Sequence, residues 1–287
     1  MRKGKWVRRH LAEAVVKGLM YLSVVLVTGS LALILITVIL RGLPAMSWEM
    51  VSQPPEGGYF MGKGGGVLNA IIGSMYLATG GTLLALMIGF PIALYLETYL
   101  GDSARGRYVR LSLDVLWGIP SIVYGAFGFT LMLAVGLRAS LLAGIIVLAL
   151  LELPIMVRAM DEVIRRMPVD LEQAALALGS TKLEVALRVV TRQMLPGIIT
   201  AILLAFGRGI GDAASVLFTA GYTDRITTSL LRPTASLPLA VFFQLASPFP
   251  EVQKRGYASA LILTIIVLAI SLGSRWMSSR LSRYTVK

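Results

Sequence analysis

The chain has 287 residues, 56% hydrophobic and only 15% charged, with no cysteine, one histidine and a net charge of +12. A soluble domain of this length carries about a quarter charged residues, so the composition points to a membrane protein. It excludes a disulfide framework, a thiolate metal site and a cysteine nucleophile, and the lone His10 sits among basic residues at the start of the chain.

The opening "MRKGKWVRRH" is basic and precedes an apolar run from Leu19 to Leu40. That run exceeds the roughly 7–15 residues of a signal peptide core and suits an uncleaved transmembrane helix. Residues 1–18 read as a basic cytoplasmic N-terminus, and 19–287 as a single transmembrane domain. Five further segments are long enough to cross a bilayer, which gives six spans at about 19–40, 67–96, 112–135, 139–157, 194–220 and 256–277. The "GLRAS" link makes spans three and four a tight antiparallel hairpin. "GKGGG" (62–66) reads as a flexible lead into span two, and no stretch has the G-x-x-x-x-G-K-[ST] spacing of a phosphate-binding ATPase loop. The fold class is an all-α integral membrane protein.

Lys and Arg set the orientation. With the N-terminus inside, the inner side collects the N-terminal cluster, Arg105, Arg107 and Arg110, six basic residues between 158 and 193, and Arg275, Arg280, Arg283 and Lys287. The outer side keeps only Arg41, Lys63, Arg138, Arg225, Arg232, Lys254 and Arg255. Both termini are therefore expected in the cytoplasm, and the positive charge needs no nucleic acid to explain it.

The inner loop 158–193 holds two short helical patterns. Asp170 with Gln173 forms a candidate capping box. Leu171, Ala174, Ala175 and Leu178 recur at helical spacing, and Gly179 is the expected terminator. Thr181 and Glu184 start a second capped helix. A helix of two turns is marginal alone in water, so it needs a surface to pack against.

In the fifth span, Arg208 and Asp212 are the only charges between Met194 and Tyr222. A charge at a helix centre costs about 2.5–3.5 kcal/mol on insertion scales, so it faces protein or water. As one helix, the span would align Arg208, Asp212, Ser215 and Thr219 on one face, with Gly207 and Gly211 allowing a close helix approach. Arginine's planar fork suits oxyanions, and an aspartate would hold it in place. Alternatively the two form an ion pair that locks two helices together. Ser121 and Tyr124, after the Gly-Ile-Pro turn, are further candidates for hydrogen-bonding a passing anion, or for joining helices. Glu152 is placed near the inner end of span four, beside an arginine such as Arg158, and away from substrate.

"QAALALG" (173–179) followed by "LPGI" (195–198) resembles the signature loop of ABC-importer permeases. "GFPIALYLETYLG" (89–101), "GIPSIVYGAFGF" (118–129), "LPIMVRAMDEVIRRMP" (153–168) and "GRGIGDAASVLFTAG" (207–221) resemble the phosphate-importer members of that class. The region "LPLAVFFQLASPFPEVQKRGYASALIL" (237–263) is closer to the PstA-type than the PstC-type subunit. The resemblance implies the type I permease fold, with a coupling helix carrying Asp170, Glu172, Gln173, Ala174, Ala175 and Gly179 that docks on an ATPase. It implies a PstC-type heterodimer partner, two ATPase subunits that use ATP and Mg, an external phosphate-binding protein, and a prokaryotic plasma membrane. The chain itself would bind no cofactor and would not be an enzyme. Other oxyanions such as molybdate or sulfate are the alternative substrate. A membrane enzyme acting on lipid phosphates lacks a catalytic constellation here, and a secondary transporter would not explain the coupling-type loop.

Overall fold

A computed structural model describes residues 2–56 and 64–281. Gly62, Lys63, Arg283 and Lys287, used above, lie outside the described residues. The elements in chain order are α1 (Arg2–Gly42), α2 (Trp48–Ser52), the short strands β1 (Pro55–Glu56) and β2 (Gly64–Gly65), α3 (Leu68–Tyr95), α4 (Ala104–Gly118), α5 (Ser121–Ala134), α6 (Leu141–Ile164), α7 (Val169–Ala177), α8 (Lys182–Glu184), α9 (Thr191–Ile210), α10 (Leu237–Leu245) and α11 (Pro250–Leu281). Wider π-type turns extend α3 through Leu96–Leu100 and join α8 to α9 through Val185–Val190.

Among the described residues, five helices are long and apolar enough to cross a membrane, and α4 with α5 supplies a sixth crossing if the bent pair is one span. The apolar segments expected from hydropathy are helical, with three corrections to their bounds. The third is two helices that turn by 96° at Ile119-Pro120. Proline disfavours helical geometry in the residue before it, and Tyr124 Oη donates to Leu116 O at 2.8 Å across the bend. The fourth runs on to Ile164 instead of stopping near 157. The fifth ends as a helix at Ile210, ten residues early.

The centre of the bundle is the α3–α6 pair, flanked by α9. Small residues on α3 make the close approach possible. A Cβ at Gly80 would press on Ile145, one at Gly81 on Leu148 and one at Gly89 on Val157. α1 is exposed along its length, from Leu19 to Leu40, as expected of a span facing lipid. It touches the bundle at its end, where Arg41 lies over the ring of Tyr257 and donates to its hydroxyl, and Gly42 meets the backbone of α11.

Of "GKGGG", expected as a flexible lead, the described part is tied down. Gly64 and Gly65 pair with Glu56 and Pro55, Gly65 N–H donates to Glu49 Oε1, and Arg255 donates to both glycine carbonyls. Gly65 has φ +72°, open to glycine and strained for other residues.

Candidate functional site

The site forms where α9 stops. Residues 211–236 are turns and irregular chain, yet Ser215, Val216, Thr219 and Ala220 are buried to 1% exposure or less. Irregular backbone inside a membrane protein needs partners for its polar groups. They come from the start of α6, whose first N–H groups have no intrahelical acceptor. Ser140 N–H donates to Thr219 O, Leu141 N–H to Arg232 O and Leu142 N–H to Leu230 O, all at 2.8–2.9 Å. Gly125 of α5 lets the same segment lie against that helix, since a Cβ there would crowd Ala214 O and Ser215 O, while Gly128 makes room for Val147 of α6.

The helical stripe expected for Arg208, Asp212, Ser215 and Thr219 is therefore absent. Arg208 is on the last turn of α9, exposed, with no ion pair or hydrogen bond among the described residues. Asp212 has left the helix. Its Oδ2 accepts the Ser215 N–H at 2.8 Å, so it caps the turn and does not hold Arg208. Ser215 Oγ is buried without a partner, while Thr219 Oγ1 donates to Ser215 O. Gly207 and Gly211 face open space, so the close contact falls on Gly209 instead. Leu204, one turn below Arg208, is exposed too, and the four residues make one uncovered face. Tyr124 uses its hydroxyl on the bend, and Ser121 is half-buried at the start of α5.

Depth follows from cross-contacts. Gly209 abuts Glu152, the middle residue of the 24-residue α6, and Thr82 in mid-α3 donates to Glu152 Oε2 at 2.8 Å. Arg208 is thus at mid-bundle. Glu152 is neither near the end of its helix nor paired with Arg158. Arg158 binds Asp114 and Asp161 instead. Helical spacing could have revealed Glu152, because Leu148, Ile155 and Met156 share its buried face.

The other polar cluster is at the α7 end of the bundle. Asp161, fully buried, accepts from Arg110 Nε at 2.8 Å, Arg110 Nη2 at 2.9 Å and Arg158 Nη1 at 2.8 Å. Arg110 also reaches Gly101 O and Glu97, and Arg165 joins Glu97 to Asp102. Beyond this cluster, α7 starts at Pro168 with no side-chain cap, so Asp170 is not the cap and forms no box with Gln173; Asp170 and Glu172 sit in the first turn, where the helix dipole favours them. Leu171 and Ala175 turn inward, while Ala174 and Leu178 face out, so the expected single apolar face is split. Leu178 is 88% exposed. Gly179 ends the helix at φ +87°, and the Thr181–Glu184 capping box is formed. Two hydrogen bonds from Thr181 hold the Glu184 carboxyl below its usual pKa.

Residues 89–285 match the family described as binding-protein-dependent transport system inner membrane component. The chain belongs to this family. The permease is 34% identical over 270 residues to the phosphate transport system permease protein PstA of Haemophilus influenzae, covering 94% of each chain. It is 36% identical over 224 residues to PstA 1 of Mycobacterium tuberculosis, covering 76% of this chain and 72% of that one. In fold, it resembles a chain of the inward-facing MetNI methionine ABC transporter, with a TM-score of 0.60 at 16% identity over 75% of this chain and 95% of that one. An amino acid ABC transporter gives a TM-score of 0.57 at 17% identity, over 74% and 92%. The chain is thus a multi-pass membrane transport subunit with the ABC-importer permease fold.

Proposed function

We propose that this permease is one half of the membrane pore of an ATP-driven importer that carries inorganic phosphate into a prokaryotic cytoplasm. The observation that carries this reading is Arg208, a cation at mid-bundle with no partner among the described residues. A guanidinium at that depth cannot face lipid, so it faces a watery path or a second subunit. Its fork of donors fits phosphate oxygens. Leu204, Gly207 and Gly211 beside it leave a face for a PstC-type permease to close. The names of the PstA relatives support phosphate as the substrate.

The concentration of basic residues at the α7 end supports a reading in which both termini and α7 are cytoplasmic. There α7 docks on one of two ATPase subunits, which use ATP and Mg, while an external binding protein delivers the anion. Closure of the ATPase pair moves α7, and the bundle opens first to one side and then to the other.

Phosphate is expected to stimulate ATP hydrolysis by the reconstituted complex with its binding protein. Stimulation by molybdate or sulfate and not by phosphate would replace the substrate assignment. Docking has a separate test at Leu178. Its side chain is mostly exposed, so Leu178→Arg should change permease stability by no more than about 0.5 kcal/mol. The same change should strip the ATPase subunits from the purified complex. Full retention of the ATPase by Leu178→Arg would remove α7 from the docking surface.

A further inference from the structure

Glu152 is fully buried and only half satisfied. Oε2 accepts from Thr82 Oγ1, whereas Oε1 has no partner. A buried carboxyl with a bare oxygen is costly, and such groups in folded proteins usually have a reason. Oε1 lies directly on the backbone of α9 at Gly209, where any side chain would overlap it. Arg208, one residue away, is the one member of this junction with a free positive charge. Asp212, the other carboxylate near enough to act on Glu152, is occupied by the Ser215 N–H.

We propose that Glu152 is the internal counter-charge of Arg208, used when no anion occupies the path. While an anion is present, it neutralises the guanidinium. When the anion leaves, Arg208 folds back over Gly209 and donates to Glu152 Oε1, which clears the site and resists rebinding. Arg208 is one residue from the contact but points about 100° away from it around α9, so the guanidinium reaches Oε1 only if the last turn of α9 rewinds. Three features permit the movement. α9 ends at Ile210, so its last turn can rewind without disturbing the helix below. Gly207, Gly209 and Gly211 leave the backbone conformationally free, and the absent side chain at 209 leaves Oε1 in contact with α9 itself. Glu152 is thus a positioning residue that acts through Arg208, and the assignment rests on Arg208 being an anion-path residue.

The test uses the complete reconstituted transporter with phosphate. Glu152→Gln keeps the shape and the Thr82 hydrogen bond and removes only the charge. It should lower the turnover of phosphate uptake at least about tenfold, as expected for loss of one charge-assisted hydrogen bond, with assembly and half-saturating phosphate unchanged. Glu152→Asp, which keeps the charge, should recover most of that turnover. Wild-type turnover by Glu152→Gln alongside an inactive Arg208→Ala overturns the Glu152 proposal and leaves the Arg208 reading standing. Wild-type uptake by Arg208→Ala overturns both. Equal losses in the Gln and Asp variants, accompanied by poor assembly, assign Glu152 a packing role and overturn the proposal too.

Discussion

Arg208→Ala is expected to reduce phosphate uptake by more than about 100-fold while leaving assembly intact. Two magnitudes lead to this figure. Hydrogen bonds to charged groups contribute about 1.5–3 kcal/mol each, and a fork can make two. An anion left without its counter-charge in a low-dielectric path meets a further penalty of several kcal/mol. Assembly should survive because Arg208 has no hydrogen bond or ion pair among the described residues. Arg208→Lys is the informative companion. It keeps the charge and loses the planar fork, so it should fall between wild type and alanine. Uptake assays in proteoliposomes, with co-purification of the ATPase as the assembly control, decide the matter.

Asp161→Ala should be the most destabilising single change in the α7 end of the bundle. Asp161 is fully buried and neutralises Arg110, whose side chain is 8% exposed, and Arg158, at 23%. Breaking a buried pair costs about 3–5 kcal/mol; here Arg110 keeps only the part-exposed Glu97 and Gly101 O, and Arg158 only the exposed Asp114, so most of that loss is expected. Exposed pairs such as Arg166–Glu162 and Lys254–Glu251 contribute at most about 0.5 kcal/mol, so Glu162→Gln is the matched control. For the purified permease in detergent, the loss corresponds to a fall of roughly 10 °C in the denaturation midpoint. An unchanged midpoint would show that water or rearranged partners satisfy both arginines. The cluster also ties α4 and the turn after α3 to α6, just before α6 leads into α7. Its loss should therefore weaken the connection between the ATPase side and the bundle as well as its stability.

Each part of the site was legible to a different degree. Arg208 stands out in sequence because it is one of two charges in 29 residues, and charge in an apolar run is costly whatever the fold. Asp212 stands out equally, but its role does not. Four residues of separation places two side chains together only if the helix continues between them, and hydropathy cannot say that it does. Glu152 was misplaced because the end of its helix was set seven residues too early, at 157 instead of Ile164. Asp161 and Arg110 are 51 residues apart in sequence, and no local pattern joins them.

What the sequence determined by itself is what depends on local chemistry. It set the number and rough position of the apolar segments, the uneven distribution of Lys and Arg, the glycine that ends α7 and the Thr181–Glu184 cap. Each follows from transfer energy or from hydrogen bonds within a few residues. Tertiary structure alone decided where α9 stops. Residues 211–220 are apolar enough to suggest that the helix continues, yet the segment 211–236 has carbonyls satisfied by the free N–H groups at the start of α6 and its path is opened by Gly125. Those partners are 70 or more residues away in the chain. That long-range satisfaction frees the segment from helix, turns Asp212 away from Arg208, and leaves the arginine open at mid-bundle.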